Sequence, residues 1–324
     1  MTRPSKILAV SALAVAIVAP AAALADYPAD KPIRMVIGYA AGGAADKLAR
    51  PIAEKVSKII GQSIVMDYRP GAGGAIALDV VARTPPDGYT IHLTDSGPAT
   101  ILPNLRKTSY DPLKDFAPIA MVGSGGTVIV ALPDSPAKDV KTFIELAKKD
   151  PAAWSYGTSG IGGVAHLSAE QLKSVTGMTI THVPYKGGAP ALVELLGGHI
   201  PVLFSSMGSA SAHLEAGRVR GLAVTSIKRA KMLPNVPTLA ESGYPGFDAQ
   251  IWFGFVGPAG LPDNVMKVLV PAFNEAMKDP DIVRMIENEG YDPLNLTPAQ
   301  MHDKIKSDLV QWAKVIKEAK VTLD

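Results

Sequence analysis

Two glycine-bearing stretches carry most of the chemistry that the residue types of this chain allow. One is IGYAAGGAADKLAR, Ile37 to Arg50, and the other is YGTSGIGGVAHLSAEQLK, Tyr156 to Lys173. Each runs from a β-rich segment through glycines into an apparent helix. The first turn of a helix leaves N–H groups without partners and carries a partial charge of roughly +0.5. Glycine lets an anion reach those groups with no Cβ in the way. Each loop is therefore suited to hold something negative: a nucleotide phosphate, a developing oxyanion, or a carboxylate that is simply carried.

Phosphate binding fails on spacing. A Walker loop needs Gly-Lys followed by a hydroxyl residue, and Gly-Lys occurs nowhere in the chain. The nearest run to a dinucleotide fingerprint, Gly71-Ala72-Gly73-Gly74-Ala75-Ile76, has isoleucine where the last glycine belongs. A nucleophile elbow is missed by one residue at Gly157-Thr158-Ser159-Gly160-Ile161. That leaves a serine esterase built on Ser159 and a histidine only as an alternative. The six histidines, His92, His166, His182, His199, His213 and His302, include no i, i+4 pair, and the chain has no thiolate ligand and no calcium-loop pattern. No metal or cofactor is expected.

Two readings remain: a tight βα turn that holds no ligand, which a single glycine loop favours, and carboxylate capture by backbone groups, which gains from there being two such loops. Gly42, Gly43, Ala44 and Ala45 are placed to donate N–H groups from the first loop. Thr158, Ser159, Gly160, Ile161, Gly162 and Gly163 add hydroxyls and N–H groups from the second. Neither loop contains a basic side chain, so recognition is by dipoles rather than ion pairs. Asp46 stands in the first helical turn, where it favours the helix by about 0.3–1 kcal/mol through the dipole alone. If it faces the ligand instead, it favours one that carries an ammonium or hydroxyl donor.

Positioning these loops is the task of alternating strands and helices. The strands expected from β-rich runs are 33–38, 63–68, 89–94, 127–132, 180–184, 200–205 and 221–225. Between them lie helices of 3.6-residue period; the first carries Leu48, Ile52, Ala53, Val56, Ile59 and Ile60 on one face and stops at Gly61. Such alternation predicts an α/β fold with largely parallel sheets covered by helices. Ligands of open α/β sheets sit beyond the carboxyl ends of strands, where both loops fall. Thr297-Pro298-Ala299-Gln300 reads as a capping box opening a C-terminal helix with an apolar stripe of Met301, Ile305, Leu309, Trp312 and Ile316. Two α/β lobes, each offering one glycine loop to a shared cleft, account for the pattern. The chain is expected to cross between them near Gly125-Gly126 and around Ser242–Phe247. Lobe 1 then comprises residues 26–125 and 248–324, and lobe 2 residues 126–247.

The N-terminus reads as a secretory signal peptide over residues 1–25: Arg3 and Lys6, the apolar run Ile7 to Ala19, and the small-x-small site Ala23-Leu24-Ala25. Cleavage after Ala25 leaves a protein of the exported compartment. The chain has 32 lysines and arginines against 30 acidic residues, and losing Arg3 and Lys6 brings its formal charge to zero. That balance argues against a nucleic-acid partner. No later segment is apolar for long enough to span a membrane, and the absence of cysteine excludes a disulfide framework.

Taken in order, several runs resemble one family, the substrate-binding proteins of tripartite tricarboxylate transporters, also called the Bug family. They are GYAAGGAADKLAR, YRPGAGGAIALDVVARTPPDGYT, YDPLKDFAPIA, YGTSGIGGVAHLSAE, HVPYKGGAPALVELLGGHIP, GRVRGLAVTSIKRAKMLPNVPTLAESGYPGF and IWFGFVGPAGLP. The resemblance implies a two-lobed periplasmic binding protein fold, a Venus flytrap, that closes on a small carboxylate and delivers it to a two-component membrane permease. It implies that the loop from Tyr39 and Ala41 to Asp46 and the loop from Thr158 to His166 grip a ligand carboxylate from opposite lobes, often with ordered water. It also implies pocket walls at Thr94, Asp95 and Ser96, at Tyr185, Lys186 and Gly187, and at Phe204, Ser205 and Ser206. Two positions depart from the family pattern. Ala45 stands where a hydroxyl residue is common, which shifts weight to backbone N–H groups or water. Ser205-Ser206 replaces an acidic residue and asparagine, which makes the distal pocket less acidic and open to a second carboxylate or a larger ring.

On this reading the protein is a receptor with no chemistry of its own, and it needs no second subunit to close, so a monomer is expected. A periplasmic ligand sensor that docks to a signalling kinase is the alternative. The cluster Lys228, Arg229 and Lys231 is read as a solvated loop.

Overall fold

A computed structural model describes residues 27–321 of the chain. The expected leader, 1–25, lies outside the described residues. The elements of the first half are β1 (Ile33–Ile37), α1 (Ala44–Ile60), β2 (Ile64–Tyr68), α2 (Ala75–Ala82), β3 (Thr90–Asp95), α3 (Leu102–Leu105) and β4 (Phe116–Ala131). There follow α4 (Val140–Lys149), β5 (Ser155–Thr158), α5 (Val164–Thr176), β6 (Thr181–Pro184), α6 (Gly188–Leu196), β7 (Val202–Ser206), α7 (Met207–Glu215) and β8 (Arg220–Val224). The chain closes with β9 (Gln250–Pro258), α8 (Asp263–Lys278), α9 (Pro280–Asn288), β10 (Asp292–Pro293) and α10 (Pro298–Glu318).

The strands order as β2-β1-β3-β9-β4-β7-β5-β6, with β8 and β10 also paired to β4. Pairing is parallel only toward the two ends, where β1 lies between β2 and β3, and β5 between β6 and β7. The middle is antiparallel throughout: β3 with β9, β9 with β4, and β4 with both β7 and β8. The expectation of largely parallel sheets is thus corrected at the centre. β4 and β9 run in opposite directions between the two halves, and antiparallel neighbours need no crossover helix.

β4 is the strand that joins the two sides of this arrangement. The strand expected at 127–132 is only its second half; the first half reaches back to Phe116 and pairs with β9 over nearly its whole length. The glycines at the expected crossing do not break it. A Cβ on Gly125 would meet the Gly290 carbonyl oxygen at 2.7 Å, and one on Gly126 would meet the Ser226 nitrogen at 2.8 Å. They are there so that neighbouring backbone can close on the strand.

Burial follows the expected faces. α1 buries Leu48, Ile52 and Val56 against Ile33, Met35 and Ile37 of β1, and Gly61 ends the helix in the left-handed region, φ 68°. The capping box at Thr297 and Gln300 forms as expected. α10 then does something that its stripe did not foretell. Met301 and Ile305 enter one core, with Leu78 and Trp252, while Trp312 enters another, with Phe143 and Tyr156. One helix therefore covers both halves of the molecule. Halfway along it, Asp308 is buried and accepts the Trp252 indole N–H at 2.7 Å and an ion pair from Lys304. No helix among the described residues is long and apolar enough to cross a membrane.

Candidate functional site

The two glycine loops meet. α1 starts from Gly43 (φ −81°, ψ 177°) and α5 from Gly163 (φ −86°, ψ 166°), both extended and neither with a side chain to cap the helix. First-turn N–H groups are consequently left for something other than the chain's own capping residue. Gly43, Ala44 and Ala45 from α1 and Ser159, Gly163, Val164 and Ala165 from the α5 loop line one cavity. Tyr39 and Asp95 supply further polar wall, and Ser206, Ser209 and Thr127 contribute hydroxyls. Ile251 and Phe253, both on β9, give it an apolar side. Among the described residues, no lysine, arginine or histidine lines it.

Not every expected residue reaches this cavity. Asp46 turns back into its own loop: it accepts the Gly42 N–H at 2.9 Å, the Tyr68 hydroxyl at 2.5 Å and the Arg50 guanidinium at 3.0 Å. Gly42 (φ 82°) is thereby held as a turn, and with Ala41 it forms the loop's outer bend. Thr94 and Ser96 are buried in the frame behind Asp95, and the Ser96 hydroxyl oxygen accepts the Trp252 N–H at 3.4 Å. Thr158 ties its own loop, with its hydroxyl bonded to the Gly160 carbonyl at 3.0 Å and to His182 Nε2 at 2.7 Å. Ser205 lies behind the wall that Ser206 presents, and Ser206 pairs with Ser209 at 2.9 Å.

Several expected residues instead join the halves around the cavity rim. The Ala40 N–H donates to the Lys186 carbonyl at 3.1 Å, and Gly187 packs there so closely that a Cβ would lie 3.1 Å from the Ala40 nitrogen. Tyr185 stands beside them, half-buried, with its N–H on the Thr158 carbonyl. The Ala44 N–H donates to Ser209 Oγ at 3.2 Å, and Lys47 Nζ reaches the Gly208 carbonyl at 2.6 Å. On the opposite rim Gly73 (φ 63°) faces Ile161, and a Cβ on Gly73 would lie 2.0 Å from the Ile161 carbonyl oxygen. Gly160 abuts the same turn, 3.2 Å from a Cβ to Gly73 Cα, and Gly162 packs on Leu102. The arrangement is a closed one, with the loops in contact.

The sequence reading missed Thr127, Val164, Ala165, Gly188, Ser209, Ile251 and Phe253. Val164 and Ala165 follow directly from the helix start and were recoverable. Gly188 and Ser209 were legible only as a pair: a Cβ at 188 would sit 2.1 Å from Ser209 Oγ, a contact between segments far apart in the chain.

His166 lies behind the second loop rather than in the cavity. Its Nδ1 accepts the Gly162 N–H at 3.3 Å, and its ring stacks on His182, centroids 4.3 Å apart, which in turn stacks on Tyr156. Burial depresses both imidazoles, to about 4 for His166 and about 3 for His182, so the stack is neutral. The phenol of Tyr156 donates to Glu170, which also binds Lys173. One nitrogen of each ring is thus engaged within the loop, His182 Nε2 by Thr158 and His166 Nδ1 by Gly162. No group of histidines and acids able to hold a metal occurs among the described residues.

A two-lobed α/β molecule with paired helix N-termini in the cleft is the build of a periplasmic solute-binding protein. The chain belongs to the tripartite tricarboxylate transporter family of receptors, whose model it matches over residues 48–321. It is 34% identical to protein BugT of Bordetella pertussis, over 98% of each chain. It superposes on the periplasmic binding protein BugD with a TM-score of 0.87 and 35% identity, over 90% of this chain and 99% of that one. An R. palustris protein solved with adipate gives a TM-score of 0.86 and 33% identity, over 92% and 99%.

Proposed function

We propose that this protein captures a small organic carboxylate in the closed cleft and hands it to a two-component membrane permease of the tripartite tricarboxylate type. The observation that carries the reading is the convergence of two helix N-termini, α1 and α5, each opened by a glycine with no capping side chain, on one cavity that no basic side chain among the described residues lines. Such a site favours an anion through N–H groups and dipoles. A misfitting ligand leaves donors unpaired and is rejected. The adipate-bound relative supports a carboxylate as the cargo.

On this reading residues 1–25 direct export to the periplasm and are removed after Ala25. Residues 26–125 and 248–324 form one lobe and 126–247 the other, with α10 packed across both. Tyr39, Gly43, Ala44, Ala45, Ser159, Gly163 and Ser206 touch the ligand. Asp46, Thr158 and His166 hold the loops that do. Closure is driven by contacts available only when both loops reach the ligand.

The test is a thermal-shift screen of the mature protein against mono-, di- and tricarboxylates, with nucleotides and a chromogenic ester as controls. A ligand at about 100 times its dissociation constant stabilises the fold by roughly 2.7 kcal/mol. Shifts confined to carboxylates support the receptor. Turnover of the ester, abolished by Ser159→Ala, would sink it.

A further inference from the structure

The cavity presents one acid and no base. Asp95 ends β3, is 1% exposed, and lines the cavity beside Tyr39. Its Oδ1 accepts the Gly97 N–H at 2.8 Å. The second glycine loop presses on the same spot, since a Cβ on Gly97 would lie 2.9 Å from Asp95 Oδ1 and 3.1 Å from Gly163 Cα. The ionisable neighbours whose charges reach Asp95 are phenols, Tyr39, Tyr110 and Tyr291, from three different parts of the fold. All three are raised by burial and stay neutral. The carboxylate is thus buried next to the ligand space, with no cationic side chain among the described residues that line it.

A buried charge in that position is costly unless it is paired or takes up a proton. Burial raises Asp95 to about 6, with the Tyr39 hydroxyl and the Gly97 N–H offsetting part of the effect. Above that pH it is ionised, and beyond the partial positive charge of the α5 N-terminus the compensating charge comes from the ligand. A second carboxylate at that end is repelled, and an alcohol donates a hydrogen bond but brings no charge. A protonated amine does both.

We propose that Asp95 is the specificity-determining residue of the cleft, and that the cargo is a carboxylate bearing a protonated amine. The ligand's carboxylate faces the first turns of α1 and α5, and its ammonium faces Asp95. This rests on the carboxylate-receptor reading above and narrows it to a zwitterionic class.

The experiment is isothermal titration of the mature protein at pH 7.5 with matched pairs: L-aspartate against succinate, L-glutamate against glutarate, and γ-aminobutyrate against butyrate. The amine-bearing member of at least one pair is expected to bind about tenfold more tightly or better, the size of a charge-assisted hydrogen bond. Asp95→Asn should erase that preference. A second readout needs no variant: lowering the pH from 7.5 to 5 should tighten the des-amino ligand on the wild-type protein, as Asp95 takes up a proton. If the des-amino members bind as well as or better than their partners at pH 7.5, the role of Asp95 is overturned while the receptor reading stands. If no carboxylate of either kind binds, both fall.

Discussion

Gly73 offers the sharpest test of whether binding and lobe closure are one event. It sits in a tight turn of the first half, at φ 63° and ψ 29°, with the Ile161 carbonyl of the opposing loop directly over it. Gly73→Ala places a methyl 2.0 Å from that oxygen, a separation that no Cβ tolerates. Two costs follow, and they separate cleanly. The left-handed conformation costs an L-residue about 1–2 kcal/mol whether the cleft is open or shut. The collision exists only when the loops touch, and overpacking of this kind costs about 1–3 kcal/mol more. Gly61 serves as the control, with nearly the same backbone (φ 68°, ψ 19°) and nothing within 4 Å of a Cβ. Gly61→Ala and Gly73→Ala should therefore lower the stability of the ligand-free protein by similar amounts. Only Gly73→Ala should weaken the ligand, by about 5- to 150-fold, since every 1.4 kcal/mol is a factor of ten. Titration calorimetry with the ligand found in the screen, together with urea midpoints of both apo variants, makes the comparison. Unchanged affinity in Gly73→Ala would refute the reasoning, because a liganded state that accepts the methyl is not closed at this rim.

Other perturbations are more local. Asp46→Ala removes the acceptor for Gly42, Tyr68 and Arg50, and should cost about 1.5–3 kcal/mol in a urea melt while weakening the ligand only through a looser first loop. Asp308→Ala leaves the buried Trp252 indole N–H without its partner and should cost about 1–3 kcal/mol, with a change in tryptophan fluorescence of the native state. Burial holds His92 and His166 near 4 and His182 near 3, and these three outweigh Asp95, which is raised to about 6 and acts in the opposite direction, so the folded protein binds fewer protons than the unfolded chain between about pH 6.5 and 4. Stability should accordingly fall as the pH drops through that window, by at most about 1.4 kcal/mol per unit for each histidine. Urea midpoints at pH 7 and pH 5 measure it, and a midpoint that rises on acidification contradicts the assignment of neutral buried imidazoles.

The parts of this molecule that sequence makes visible are those fixed by local rules. Gly43 and Gly163 announce helix starts because glycine before an amphipathic run has few other uses, and Thr297 with Gln300 announces α10 through a capping box. The first half of β4 and all of β9 were overlooked for the converse reason. Pro118, Gly123, Gly125 and Gly126 in one, and Gly254 and Gly257 in the other, interrupt the alternation that marks a strand. Their place in the sheet is set by each other and by backbone approaching from residues 290–292, none of which is near in sequence. The site divides in the same way. Both loops were legible, but the second wall of Ser209, Thr127 and Phe253 exists only once distant segments fold together. Asp46 and Asp95 show the limit most plainly: two acids beside two glycine turns, one folded into its own loop and the other facing the cavity.

α10 constrains how the cleft can move. A helix of 21 residues spans about 31 Å and does not stretch, yet its two ends are seated in different cores. Opening cannot pull those cores apart along it. The freedom left is a swing about the region where α10, β4 and β9 lie together, much as a door keeps its distance from the jamb while it turns. On the proposed receptor reading, release to a membrane partner requires that partner to act on the swing itself, not on the ligand.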